Sequence, residues 1–281
     1  MACRFMGISR QSYYQQIKNE QAIDARDVKV AEMVRQIRCR QPRVGGRKLH
    51  YLLRDSMIEV GIKLGRDALF STLRRMQLLV PRARAYHKTT NSFHRFYKHP
   101  NLLQPGTFKA QRPEQLWVAD ITYIPTQQRC AYLSLVTDAF SRKIVGWHVH
   151  ASLQTEEVAQ AFKMALRSRA SNDQLIHHSD RGIQYCASAY QALHAKNSII
   201  CSMTDGYDCY QNALAERVNG ILKTELLLEK PFDLAEAKRM IRQSVDIYNY
   251  ERPHHSLKYK TPDEVHRAFQ PKQESGDSCL V

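Results

Sequence analysis

No stretch of this 281-residue sequence approaches the ~18 consecutive apolar residues that a membrane-spanning helix needs. The first ten residues carry Arg4 and Arg10 but no apolar run long enough for a secretory signal, so a cytoplasmic protein is expected. Cysteines are seven, an odd number, at positions 3, 39, 130, 186, 201, 209 and 279, and none forms a CxxC pair. This pattern argues against a disulfide framework and for reduced thiols. Internal repeats are absent too. What remains, 43% hydrophobic and 25% charged residues with a mean hydropathy of −0.51, suits a globular chain with one catalytic domain and one small accessory domain.

Acid is what the first part of the chain has least of. Residues 1–110 hold 22 Lys+Arg against 7 Asp+Glu, and residues 111–281 hold 20 against 20, so the whole formal charge of +15 lies in the first two-fifths. Cations concentrated in this way are the footprint of a module that displaces counterions from a polyanion; charge kept only for solubility would be spread more evenly.

Within that part, Val28, Val30, Met33, Val34 and Ile37 mark a helix over residues 24–40, ended by Gln41-Pro42. Leu49, Leu52 and Leu53 mark a second over 47–55, and Leu69, Leu73 and Met76 a third over 66–76, with Arg66, Arg74 and Arg75 on its wet face. Helix, turn and basic helix predict a small all-α, helix-turn-helix-like domain over 26–80, after a short helical segment over 1–25. In such a motif the second helix enters the major groove, which makes Arg66, Ser71, Thr72 and Arg74 candidate groove contacts and Arg47, Lys48 and Arg75 candidate DNA contacts beside them. Residues 81–112 read as a basic linker in which Arg82 and Arg84 join cations interleaved with aromatic rings, as suits a segment lying along DNA or a connector packing on its neighbour. His87, His94 and His99 have no cysteine pair with which to complete a zinc site.

Residues 113–270 alternate differently. Strands are expected at 116–125, 131–138, 143–149, 174–179 and 198–203, and helices at 155–169, 187–196, 212–228 and 234–249; a polar tail follows from 271. Strands first and alternating elements afterwards define an α/β class with a mixed sheet flanked by helices.

Three acids stand out by position. Asp120 lies in mid-strand in WVADITYI, on one face with Val118, Thr122 and Ile124, where a carboxylate is costly unless paired. Asp180 follows the strand ending IHHS, at the carboxyl end where open α/β sheets keep their ligands. Glu216 shares a helical stripe with Asn212, Gly220 and Lys223 at the border of an apolar stripe of Ala215, Val218, Leu222 and Leu226. Phosphoryl transfer on DNA needs charge neutralised at the transition state, which two divalent cations held by carboxylate oxygens supply. Each acid also has a plain reading: a buried ion-pair partner, a turn residue and a surface helix acid.

Taken together, LWVADITYI, YLSLVTDAFSRKIVGW, IHHSDRGIQY, NALAERVNGILKTEL and YNYERPHHSLKYKTPDEV, in this order over residues 108–267, resemble the catalytic core shared by retroviral integrases and bacterial insertion-sequence transposases of the second-frame (OrfB) type. The 35 residues between Asp180 and Glu216, with Lys223 seven beyond, are the most specific part of the match. The resemblance implies a ribonuclease-H-like fold, Asp120, Asp180 and Glu216 as catalytic ligands of two divalent ions (Mg²⁺, with Mn²⁺ the alternative), and Lys223 as a contact to element-end DNA. It implies cleavage and strand transfer as the reaction, and as partners element-end and target DNA, further copies of the chain and an upstream-frame DNA-binding protein. The stretch MTDGYDCYQNA departs from the family pattern at Asp208, Cys209 and Gln211, keeping Tyr210 and Asn212. That departure leaves a catalytically impaired DNA-binding protein as one alternative, and a nuclease that cuts without joining as another. His178 is either an auxiliary group at the site or a packing histidine.

Overall fold

The computed structural model of the chain describes residues 7, 9–81, 97–104, 107–205 and 212–269. It divides into two compact units, Met1–Arg84 and Ala85–Val281. Arg82 and Arg84, most of the basic linker and residues 206–211 lie outside the described residues.

The first unit is helical. Helix α1 (Arg10–Arg40) is capped by Ser9, whose Oγ accepts the Ser12 N–H at 3.0 Å, and runs without a break through the boundary expected at residue 25. No Gly or Pro stands between residues 10 and 40, and extending a formed helix costs little per residue. What changes near residue 26 is burial: the N-terminal half is exposed, whereas Val30 and Val34 pack with Leu49 and Leu53 and with Leu69 and Leu73. Those leucines come from α2 (Gly46–Leu52) with the residue after it, and from α4 (Arg66–Arg75); α3 (Arg54–Glu59) lies between.

A buried carboxylate pins α1 to α4. Asp27 accepts hydrogen bonds from Thr72 Oγ1 (2.9 Å) and Arg75 Nε (2.8 Å), and pairs with Arg26 (2.8 Å). Burial would raise its carboxyl; the bonds from Arg26, Arg75 and Thr72 outweigh that and hold it below the usual value.

The second unit is built on a five-stranded mixed sheet in the order β3-β2-β1-β4-β5. Strands β1 (Leu116–Pro125), β2 (Cys130–Asp138) and β3 (Ile144–His150) form an antiparallel meander; β4 (Ile176–Ser179) and β5 (Ile200–Met203) add on the other side of β1 in parallel. Alternation along β1 sends Trp117, Ala119 and Ile121 into one layer and Ile124, with Leu133 and Leu135 of β2, into the other.

The first layer is covered by α5 (Thr155–Ser168), α6 (Ile183–Cys186) and α7 (Ser188–Lys196). Val158, Phe162 and Ala165 recur at helical spacing along the buried face of α5. Gly146 of β3 is what lets this helix approach: a Cβ there would meet the Ala161 carbonyl oxygen at 2.0 Å. The second layer is α8 (Ala213–Ile221) and α9 (Leu234–Asp246), whose Val218, Ile221, Ile241 and Val245 close over Leu133 and Leu135. Both helices, expected to run to residues 228 and 249, instead end in π turns at Leu222–Leu226 and Ile247–Glu251. The last described helix, α10 (Pro262–Arg267), begins with a capping box on Thr261 and Glu264.

Beneath β4 the first layer holds a histidine pair. His194 Nε2 lies 3.1 Å from His177 Nδ1, both rings are buried against Phe162 and Tyr190, and the outer nitrogens, His177 Nε2 and His194 Nδ1, have no hydrogen-bond partner. Burial, followed by the charge of His99, pushes His194 down to about 4. Burial, with the neighbouring His194 and His178, takes His177 well below 6.5. The folded chain therefore binds these protons less tightly than the unfolded chain. The stability they confer is fully present above pH 6.5 and is lost as pH falls toward 4. Urea unfolding across that range should show a falling midpoint in the wild type and a flatter one in His194→Gln; equal slopes would remove the pair as the cause.

Candidate active site

The parallel register of β1 and β4 brings the two aspartates level. Val118 pairs with His178, so two residues further on, where β4 has just ended, Asp180 stands beside Asp120. Asp180 Oδ1 accepts the Gly182 N–H at 3.0 Å, an Asx turn; a Cβ on Gly182 would itself come within 3.0 Å of that oxygen.

Asp120 projects into the layer of α8, and the polar edge of that helix lies along β1. Asn212 Nδ2 donates to the Ala119 carbonyl at 3.0 Å, Asn219 Nδ2 to Asp120 Oδ2 at 2.8 Å, and Lys223 Nζ to Thr122 Oγ1 at 2.7 Å. Residues 212, 219 and 223 are spaced by seven and four, so one stripe of the helix reads one strand. Glu216 lies on the same stripe between Asn212 and Asn219, on the solvent side of the first turns of α8.

Burial and then the charge of Asp180 push the Asp120 carboxyl up to about 7; hydrogen bonds from Asn219 and the Ile121 N–H oppose this, and Glu216 adds a smaller push upward. The three acids thus share one electrostatic neighbourhood. Among the described residues, however, no three His, Cys, Asp or Glu side chains converge closely enough to hold one ion. Asp120 and Asp180 are each engaged in a local hydrogen bond, and exposed Glu216 remains apart. The donor set, carboxylate oxygens of Asp120 and Asp180 beneath the helix that bears Glu216, is of the hard oxygen kind that suits a divalent cation.

Asn219 is the member of this site that residue patterns did not single out. Its signal was present: it lies three residues from Glu216 and four from Lys223, on the same helical stripe. His178 is buried, with Nδ1 2.9 Å from Ser202 Oγ of β5.

In the first unit, Arg47 and Arg74 are exposed and Lys48 is half-buried. Arg66 is exposed and paired with Asp67 at 2.8 Å, and Arg75 is tied to Asp27. Thr72 is corrected as a groove contact: it is fully buried beside Leu69 and Leu73 and donates to Asp27. Its position between those leucines on a ten-residue helix turns it inward. The four described cysteines, Cys39, Cys130, Cys186 and Cys201, are free, and no described helix is long and apolar enough to cross a membrane.

The sheet order, with helices on both faces, is that of the ribonuclease-H-like fold. The fold is shared with a chain of the simian T-cell lymphotropic virus intasome solved in complex with PP2A regulatory subunit B56 gamma, at TM-score 0.50 and 19% identity, covering 82% of this chain and 76% of that one. Family models described as integrase core domain match residues 110–209 and 197–262. The insertion element IS600 uncharacterized 31 kDa protein of Shigella sonnei is 36% identical over 261 residues, 91% of this chain and 93% of that protein. Transposase InsF for insertion sequence IS3A of Escherichia coli K12 is 31% identical over 198 residues, 70% of this chain and 67% of that protein. The chain belongs to the bacterial insertion-sequence transposases with an integrase core domain, a family of polynucleotidyl transferases.

Removing the Asn219 amide leaves a carboxylate oxygen of Asp120 without its donor. Asn219→Ala should fold but lose ~1–3 kcal/mol of stability in chelator-containing buffer, the cost of stranding a buried polar partner. Chemical denaturation measures this; an unchanged midpoint would mean water replaces the bond at no cost.

Proposed function

We propose that this chain cleaves DNA at the ends of an insertion element and joins the freed 3′-hydroxyl to target DNA, with Asp120, Asp180 and Glu216 as its catalytic carboxylates. The observation that carries this reading is the β1/β4 register, which sets Asp120, in mid-strand on β1, level with Asp180 at the carboxyl end of β4, beneath the helix that bears Glu216. Asp120 and Asp180 would hold divalent ions, Mg²⁺ or Mn²⁺, with Glu216 completing the set. Bound there, such ions supply charge neutralisation and an acidified water. The chain's own residues do the rest. Asn219 aims Asp120, Asn212 ties the start of α8 to β1, and Lys223 offers an ammonium to a phosphate beside the carboxylates. His178 supports β4 from within the sheet.

Arg47, Lys48, Arg66, Arg74 and Arg75, with Arg82 and Arg84 of the linker, supply phosphate contacts that hold DNA irrespective of sequence. Joining two element ends to one target calls for more than one copy of the chain, and an upstream-frame partner would add end recognition. Such an enzyme works in the cytoplasm, on the nucleoid.

Metal-dependent cleavage and strand transfer on labelled element-end DNA tests the carboxylates. Asp120→Asn, Asp180→Asn and Glu216→Gln should each lower both steps at least ~100-fold, since several kcal/mol of transition-state stabilisation is removed, while DNA affinity is kept. Mg²⁺ should raise the melting temperature of the wild type but not of the two Asp variants. Full activity in any of the three variants would dismiss that residue from the site.

Salt dependence tests the basic unit. Replacing Arg47, Lys48 and Arg74 together by Ala should flatten the slope of log affinity against log salt by ~0.9 for each phosphate that the variant no longer neutralises. An unchanged slope would move the DNA path onto the catalytic unit.

A further inference from the structure

The two π turns of the second layer are joined by a partly buried ion pair. Arg252, which follows the turn Ile247–Glu251, is almost wholly buried and sends Nε (2.9 Å) and Nη2 (2.8 Å) to the two carboxylate oxygens of Glu225, within the turn Leu222–Leu226. Its remaining nitrogen, Nη1, lies 3.1 Å from His254 Nε2, and the guanidinium carbon is 5.9 Å from the centre of the buried Tyr248 ring. Each turn is closed by a bond reaching back five residues: Leu227 N–H to the Leu222 carbonyl (2.8 Å) and Arg252 N–H to the Ile247 carbonyl (2.9 Å). Thr224 Oγ1 donates to the Gly220 carbonyl at 2.7 Å, a local competitor of the α-helical ladder.

A π turn is a rare alternative to the α-helix and needs something to hold it. A forked ion pair between two such turns, its arginine buried, does so, and only a planar guanidinium can make the fork. The turn fixed through Glu225 also carries Lys223, whose Nζ reaches Thr122, two residues along β1 from Asp120.

We propose that Arg252 is a positioning residue: through its fork on Glu225 it sets the π turn that holds Lys223 beside Thr122, at the edge of the carboxylates, ready for a phosphate of bound DNA. The phosphate part rests on the strand-transfer reading above; the positioning part stands on the free protein.

Two measurements on the full chain separate the parts. In DNA-free protein, acetylation of Lys223 by a small amine-reactive reagent, followed by peptide mass and normalised to exposed Lys196, should accelerate ~tenfold in Arg252→Lys and in Glu225→Gln, the factor expected on losing a hydrogen bond to a charged group. Circular dichroism checks that each variant folds; should Arg252→Lys fail, Glu225→Gln tests the same fork from its other side. Unchanged acetylation in a folded variant overturns the positioning role. On element-end DNA, Lys223→Ala combined with Arg252→Lys should bind no more weakly than Lys223→Ala alone, because the two act in series. Additive losses overturn action through Lys223. If Lys223→Ala binds and joins DNA as wild type does, the phosphate reading fails, and the acetylation result still decides the positioning.

Discussion

A carboxylate in the central strand of a sheet is the constraint around which the second unit is arranged. Asp120 has β2 on one side, the end of β4 on the other and a helix above it, so it is partly removed from water and set beside a second aspartate by strand register. Such a group is tolerated when donors reach it, and here the donors come from a helix. Asn219 bonds the carboxylate itself, while Asn212 and Lys223 bond the strand on either side of it. One stripe of α8 thereby satisfies the acid and sets the axis of the helix over β1, while Glu216, on the same stripe, lies on its solvent side.

That docking is stabilised from below by apolar burial. Val218, Ile221 and Leu222 lie against Leu133 and Leu135 of β2, and Ile241, Val245 and Tyr248 of the next helix complete the layer. Burying side chains of this size contributes ~1.5–3 kcal/mol each, more than the polar stripe returns after desolvation. The apolar stripe holds the helix down, and the polar stripe decides its register along the strand. On the opposite face, Gly146 lets α5 come close enough for Phe162 to pack on Trp117 and on the histidine pair. The strand that leads into Asp180 is thus supported from within the sheet and from beneath it.

The first unit solves a different problem with the same chemistry. Its apolar core is small, and a buried aspartate draws Thr72 and Arg75 of α4 and Arg26 of α1 into one cluster. Part of the basic character that marks this half of the sequence is therefore spent on pairing with a buried acid. Net charge shows that a domain is cationic; how those cations are paired depends on where an acid is buried.

Much of this was legible in the residues alone. Alternation placed β1 at its observed limits and put Asp120 on the face of Thr122 and Ile124, because a strand's side chains can only alternate. The charge imbalance, the helical stripe of Asn212, Glu216 and Lys223 and the ordered motifs are likewise properties of sequence, and they sufficed for the family. Other features required contacts between distant segments. The inward turn of Thr72 answers to Asp27, 45 residues away, and the partner of Asp120 is Asn219, 99 residues along the chain. The end of α8 in a π turn depends on Arg252, 27 residues beyond Glu225, since local spacing predicts an unbroken helix there. Sequence settled which residues share a face; only the tertiary structure decided which faces meet, because hydrogen bonds and ion pairs are satisfied in space, whatever the order of the chain.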